Sequence, residues 1–254
     1  MSHKDEQVMQ HNIQPTLTPR FLTPRFRQPQ VLIACAVITL CLWGLYQALR
    51  MGMADVVAYK ARYPLKTWEQ AARLPTMAEA DDALEKASGA LSWAPKNPEY
   101  LDLRAHLLTY KSLLPVNNET QAEHSVRVEP LTREALALYQ QSTGLRPKWP
   151  YSWSRLALVK SYLGEFDQVF TAAVAKAVKY GPWEPGVHKT LLEAGLSGWF
   201  ELDADTRRAL GSTASRGLRL DSRGITAIVQ RHQKRDQLCG YLPNDRYSKA
   251  LCGW

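Results

Sequence analysis

The pattern of apolar and polar positions divides the chain into unequal parts. Residues 31–49 form an unbroken apolar run with no charge, in which only Thr39 and Gln47 are strongly polar. As a helix rising ~1.5 Å per residue, such a run reaches ~28 Å, close to the ~30 Å hydrocarbon core of a bilayer. Trp43 and Tyr46 fall toward its far end, where an interfacial aromatic belt is expected, and Arg27 and Arg50 bound it. A cleaved signal peptide has a shorter apolar stretch behind a compact basic head. Here some thirty residues come first and Gly52-Met53-Ala54 makes a faint cleavage site, so an uncleaved transmembrane helix is expected.

Behind this run, residues 50–66 read as a juxtamembrane linker. From residue 67 to 254 strand signals are nearly absent, and apolar residues recur every three or four positions: Ala83, Leu84, Ala87, Ala90, Leu91, then Leu101, Ala105 and Leu108. Proline pairs at Pro95/Pro98, Pro147/Pro150 and Pro182/Pro185 punctuate the helices. Small residues stand at fixed distances before the prolines, Ala83 and Ala90 before Pro95, Ala135 and Ser142 before Pro147. This is the spacing of a tetratricopeptide-like repeat, where small side chains let paired helices pack closely. Trp153, Leu156, Ala157, Gly164 and Phe166 fit the unit that follows. The expectation is an all-α fold, a single transmembrane helix followed by a tetratricopeptide-like helical-hairpin solenoid. A polar loop is expected over 114–129, and helices near 203–219 and 222–236 close the array, since terminal repeats are often atypical.

Charge alters the picture locally. The net charge is +8, yet residues 67–204 hold 14 basic and 17 acidic side chains, while residues 205–254 hold 10 and 4. The basic excess flanks the apolar run and returns at the C-terminus. No aromatic-studded basic face or reading motif accompanies it, which argues against nucleic acid as a partner. Residues 1–30 read as a flexible basic cytoplasmic tail near lipid headgroups, with a duplicated pentapeptide, Leu17-Thr-Pro-Arg-Phe21 and Leu22-Thr-Pro-Arg-Phe26, that suits either that role or docking of a partner. Three arginines before the apolar run against four basic residues after it leave the positive-inside count near a draw. Insertion with a short tail inside is the simpler path and exports the C-terminal domain.

Candidate chemistry is sparse. The six histidines show no metal-ligand spacing, and no phosphate loop, GxSxG or CxxC occurs. Nothing suggests a cofactor or a catalytic pair, so a non-enzymatic protein is expected. Asp81-Asp82 and Asp203-x-Asp205 sit where helix N-termini are expected and there favour the helix dipole. Cys35 and Cys41 lie in the apolar run as small hydrophobes. Cys239 and Cys252 either bridge in an oxidising compartment or remain reduced thiols. Trp149, Tyr151, Trp153, Trp183 and Trp199 cluster in sequence. Trp153 and Trp183 read as core, and Trp149, with Tyr151, as an exposed surface for a partner or a glycan. Arg207, Arg208, Arg216, Arg219, Arg223 and Arg231 form either a charged outer face or a surface for an anionic glycan or headgroup.

Pro98-Glu-Tyr100, Arg146-Pro-Lys-Trp-Pro-Tyr-Ser-Trp-Ser-Arg-Leu-Ala-Leu158, Leu163-Gly-Glu-Phe166, Gly181-Pro-Trp-Glu-Pro185, Arg216-Gly-Leu218 and the Cys239-Gly-Tyr-Leu-Pro243 tail together resemble the VpsP-like proteins of bacterial exopolysaccharide loci. The resemblance runs over roughly residues 80–254 and brings no catalytic residues. It implies a single-pass inner-membrane protein with a tetratricopeptide-like domain, acting in polysaccharide production. With the exported orientation, the expected function is a non-enzymatic periplasmic scaffold for polysaccharide synthesis or export, with membrane lipid, protein components of that machinery and polysaccharide itself as partners. The alternatives are direct glycan binding in the solenoid groove and a membrane-bound enzyme acting on polysaccharide.

Overall fold

A computed structural model describes residues 28–253; the duplicated pentapeptide lies outside them. The described residues form helices and no strands: α1 (Gln28–Ala71), α2 (Met77–Trp93), α3 (Pro98–Ser112), α4 (Gln121–Leu145), α5 (Pro150–Tyr162), α6 (Gln168–Tyr180), α7 (Pro185–Ser197), a 3-10 turn (Trp199–Glu201), α8 (Ala204–His232), α9 (Arg235–Cys239) and α10 (Arg246–Cys252). Two compact units meet between Tyr46 and Gln47. In the first, α1 presents Leu32, Ile38, Leu40, Leu42 and Trp43 outward on all sides, each more than half exposed. This part of α1 is long and apolar enough to cross a membrane.

In the second unit α1 changes character. Ala54, Ala58, Ala61, Leu65 and Trp68 are buried and pack with Ala83, Ala87 and Ala90 of α2 and with Leu103 and Leu107 of α3. Their alternating spacing of four and three is the seam of a helix that packs along its length. Residues 50–66, expected as a linker, are thus helical and part of the domain core.

Helix α2 starts at a reciprocal capping box, Thr76 with Glu79. The same device, Thr120 with Glu123, starts α4 nine residues before the expected loop was to end. The irregular segment is therefore only 113–120. Glu119 organises it: its carboxylate accepts from Arg127 Nε (2.7 Å) and Nη2 (2.9 Å), while Nη2 also donates to the Leu114 carbonyl (3.0 Å).

From α3 onward the helices pair as hairpins, α3 with α4, α5 with α6 and α7 with α8, and α5 also packs on α7. The prolines recur at equivalent places. Asn97, Trp149 and Glu184, each preceding a helix-opening proline, share φ near −85° and ψ near 110°. The preceding helices end in one conformation as well, at Ala94, Arg146 and Gly181. Counting back from Pro95, Pro147 and Pro182, the same three helical positions are buried: Ala83, Ala87 and Ala90; Ala135, Tyr139 and Ser142; Phe170, Val174 and Ala177. Gly164 closes α5 with φ of 69°, and Glu165 N–H returns to the Lys160 carbonyl (2.9 Å). A side chain at this left-handed position would be strained, which accounts for the glycine.

Helix α8 is two helices merged at Asp221 (φ −147°, ψ 72°), whose carboxylate accepts from the Gly224 N–H (2.9 Å) and caps the second half. The two halves match the closing helices expected from sequence. Cys239 and Cys252 form a disulfide, their Cα atoms 5.8 Å apart, which ties α10 to α9.

Candidate functional site

The first helices of successive hairpins turn one face toward a common groove of about 450 Å³. Helix α1 contributes Glu69, α3 contributes His106 and Tyr110, α5 contributes Tyr151, Arg155 and Tyr162, and α7 contributes Lys189 and Thr190. A shallower extension past Glu69, His106 and Arg155 runs on to Arg62, Lys66, Arg146 and Trp149. These positions converge because every first helix opens at an equivalent Pro turn, so the same helical face recurs from hairpin to hairpin.

The electrostatics centre on Arg155. Most cations around it are already matched: Arg62 pairs with Asp55 (3.0 Å) and Glu99 (3.3 Å), Arg146 with Asp102 (3.0 Å), and Lys189 with Asp221 (2.6 Å). Arg155 lines both parts of the groove and donates no hydrogen bond to, and forms no ion pair with, a described residue. Its charge is felt by its neighbours. Burial lowers the pKa of His106 well below the ordinary histidine value, and the Arg155 cation lowers it further. The imidazole is therefore neutral, set against the Tyr110 ring (5.1 Å between centroids) and 3.6 Å from Glu69. Burial, with the hydrogen bond to Glu184 (2.6 Å), pushes the Tyr151 phenol up to about 12. Burial pushes Tyr162 up to about 12 as well. The groove thus sets one unpaired guanidinium among neutral phenols, a neutral imidazole and the Glu69 carboxylate, with Glu99 and Asp102 in the extension already engaged by Arg62 and Arg146. The hydroxyls of Thr109 and Thr190 donate to backbone carbonyls of their own helices (2.9 and 2.8 Å), which occupies their protons.

The residues singled out from sequence scatter over several places. Trp149 is 41% exposed, with the Arg146 guanidinium 4.4 Å from its ring, and lies in the groove extension beside Tyr151. Trp153 is buried and donates to the Pro147 carbonyl (2.8 Å). Trp199 is buried against Tyr241. Trp183, expected in the core, is instead 57% exposed, because it stands in the middle of a Pro-x-x-Pro turn, where side chains point away from the hairpin. The arginine series does not make one face. Arg207 donates to the Trp199 and Phe200 carbonyls (3.0 and 3.1 Å) and closes the 3-10 turn; Arg208 pairs with Asp205; Arg216 lies half-buried against a different groove, beside Trp183.

Asp81 and Asp82 make exposed ion pairs with Lys111 and Lys86 in the second turn of α2, and Asp203 caps α8 by accepting from Thr206 N–H (2.6 Å). Among the described residues no three metal-binding side chains come together. Sequence reasoning passed over Arg155 and Tyr162. The signal available was positional: both lie on the α5 face that looks away from the Trp153–Leu156–Ala157 core. Compared with known proteins, the chain matches no family model, and no curated protein matches it.

Proposed function

We propose that this chain is a non-enzymatic, membrane-anchored scaffold whose hairpin groove holds an acidic segment of a protein partner. The reading rests on one observation above the others: Arg155, a half-buried guanidinium that makes no ion pair with a described residue, stands at the centre of a groove built by four elements. An isolated cation in such a place gains most from a carboxylate brought by something else. The recurring Pro turns and small buried positions favour tetratricopeptide-like geometry, whose first helices commonly line a concave face. On this reading α1 spans the inner membrane once, residues 1–30 stay in the cytoplasm and the domain works in the periplasm. The anchor raises the local concentration of partners, so a weak groove contact becomes an effective one. The resemblance to VpsP-like proteins makes components of exopolysaccharide synthesis or export the partners to seek.

The test is photocrosslinking in cells of a chain with a benzophenone amino acid at Lys189, at the groove wall. A discrete protein adduct that disappears in Arg155→Met, with exopolysaccharide output falling alongside it, is the expected result. Adducts unchanged by Arg155→Met, in a variant of unchanged melting temperature, remove the groove from the proposal. Loss of polysaccharide turnover chemistry in a folded Asp81→Asn or Asp203→Asn variant would replace the scaffold with an enzyme.

A further inference from the structure

The geometry points to a second binding site, for an anionic saccharide, in the groove between α8 and the tail that carries α9, with Arg216 meeting the acidic group and Trp183 the sugar face. The groove, about 810 Å³, is lined by three arginines and no acid. Arg208, Ser212, Ser215, Arg216 and Arg219 recur along α8 at spacings of four, three, one and three, so they share one helical face. Two of the arginines are matched, Arg208 with Asp205 and Arg219 with Asp245 (3.1 Å). Arg216 is not. Its Nε and Nη2 are enclosed by protein and find no acceptor among the described residues, so Nη1 is the nitrogen left open to the groove.

An enclosed guanidinium without a carboxylate is a costly arrangement. Desolvation disfavours the charge, and each unmet donor adds to the cost. Burial alone moves the Arg216 pKa below its ordinary value, and no nearby acid offsets it. Arg104 and Arg146 also leave an enclosed Nε without an acceptor, but each pairs another nitrogen with a carboxylate, Glu134 and Asp102, while Arg127 and Arg207 spend their donors on a carboxylate or on carbonyls that end a helix or turn. Unlike these four, Arg216 pairs with no acid among the described residues, which leaves its charge to be met by an external anion.

The rest of the groove narrows the class of anion. Trp183 is exposed beside Arg216 and supplies a flat apolar face of the kind on which a pyranose ring stacks. Ser212 donates to the Ala209 carbonyl (2.9 Å), which leaves its oxygen as an acceptor for a sugar hydroxyl, and Ser215 stands one turn further along. A bare phosphate would need the guanidinium but not the indole. A carboxylated, sulfated or phosphorylated sugar uses both. This site is separate from the Arg155 groove, and its failure or success leaves the scaffold reading untouched.

The experiment is calorimetric titration of the full-length protein in detergent with trigalacturonate, maltotriose and inorganic phosphate, on wild type and three variants. Trigalacturonate is expected to saturate and maltotriose not to bind. Arg216→Met should weaken trigalacturonate about tenfold or more while the melting temperature stays level or rises, because an unmatched enclosed charge has been removed. Trp183→Ala, at an exposed position, should weaken trigalacturonate about fivefold and leave phosphate unchanged. Arg155→Met should leave all three probes as in wild type. Absence of trigalacturonate saturation up to about 10 mM, a level at which even weak specific sites fill, would overturn the assignment. So would wild-type affinity in Arg216→Met. Phosphate binding as tight as trigalacturonate, with Trp183→Ala indifferent, would overturn the saccharide class.

Discussion

At the scale of single residues, two histidines carry the clearest consequence of burial. His188 is enclosed, with Nε2 on the Pro182 carbonyl (2.8 Å), and burial holds its pKa below the ordinary value despite that hydrogen bond. His106 is shifted the same way, by burial and then by Arg155. A base whose folded pKa is depressed binds fewer protons than the unfolded chain once pH falls below about 6.5, and stability then declines toward the folded value. Both groups therefore stabilise the domain above that pH and lose this contribution below it. Glu119, held at about 2 chiefly by Arg127, titrates below this window. We expect urea midpoints to fall between pH 7 and pH 5, with the slope reduced in His106→Gln; each buried neutral histidine accounts for up to about 1.4 kcal/mol per pH unit. Midpoints that stay flat across this range would mean that both imidazoles bind protons in the fold as they do in the unfolded chain. Along α3, His106 follows Asp102 and Arg104 in sequence, but Glu69 and Arg155, which bear on its charge, come from other elements. Periodicity along one helix carries no information about what crosses the groove.

At the scale of elements, the small residues before each proline turn were legible because they recur at fixed distances, and so were the turns. Ala90, Ser142 and Ala177 occupy the same position, all fully buried. A larger side chain there has to push two helices apart. Ala177→Leu should destabilise by about 1–3 kcal/mol, as overpacking does, measured by chemical denaturation. The substitution at the neighbouring exposed Lys176 should cost less, although its ammonium sits 4.0 Å from the Trp153 ring. Equal effects at both positions would mean that the hairpin is loose at this layer. What stayed illegible was the second half of α1. Its seam of Ala54, Ala58, Ala61, Leu65 and Trp68 was hidden by small residues, by Arg62 and Lys66 between them, and by Pro64, which stands inside the helix. The expected polar loop was overextended for a related reason. The polar residues of 121–129 belong to the first turns of a capped helix, where polarity marks a solvent face and not irregular backbone. Trp183 departs from the core expected of a first-helix tryptophan because it stands in the turn before α7, not on the helix.

For the whole molecule, the apolar first part of α1 and the disulfide at the far end of the chain lead to one joint expectation. Outward-facing Leu32, Leu40, Leu42 and Leu45 are stable only where lipid or another apolar phase covers them. A bridge between Cys239 and Cys252 persists on the oxidising side of a membrane and is reduced in a bacterial cytoplasm. Flanking charges leave the orientation open, so the redox state of this pair in cells is the test of it. In a Cys35→Ser, Cys41→Ser background the tail thiols are the only ones, and maleimide labelling of the denatured membrane fraction reads them directly. We expect no label until reductant is added, then two labels, together with activity of an export-dependent reporter fused after residue 254. Reduction should also lower the unfolding midpoint, since a closed loop with a sequence separation of 13 restrains the unfolded chain by about 3 kcal/mol. Free thiols together with a silent reporter would put the domain in the cytoplasm. The saccharide site beside α9 would then face the wrong compartment for a secreted polymer, and the groove at Arg155 would have to be tested against cytoplasmic partners instead.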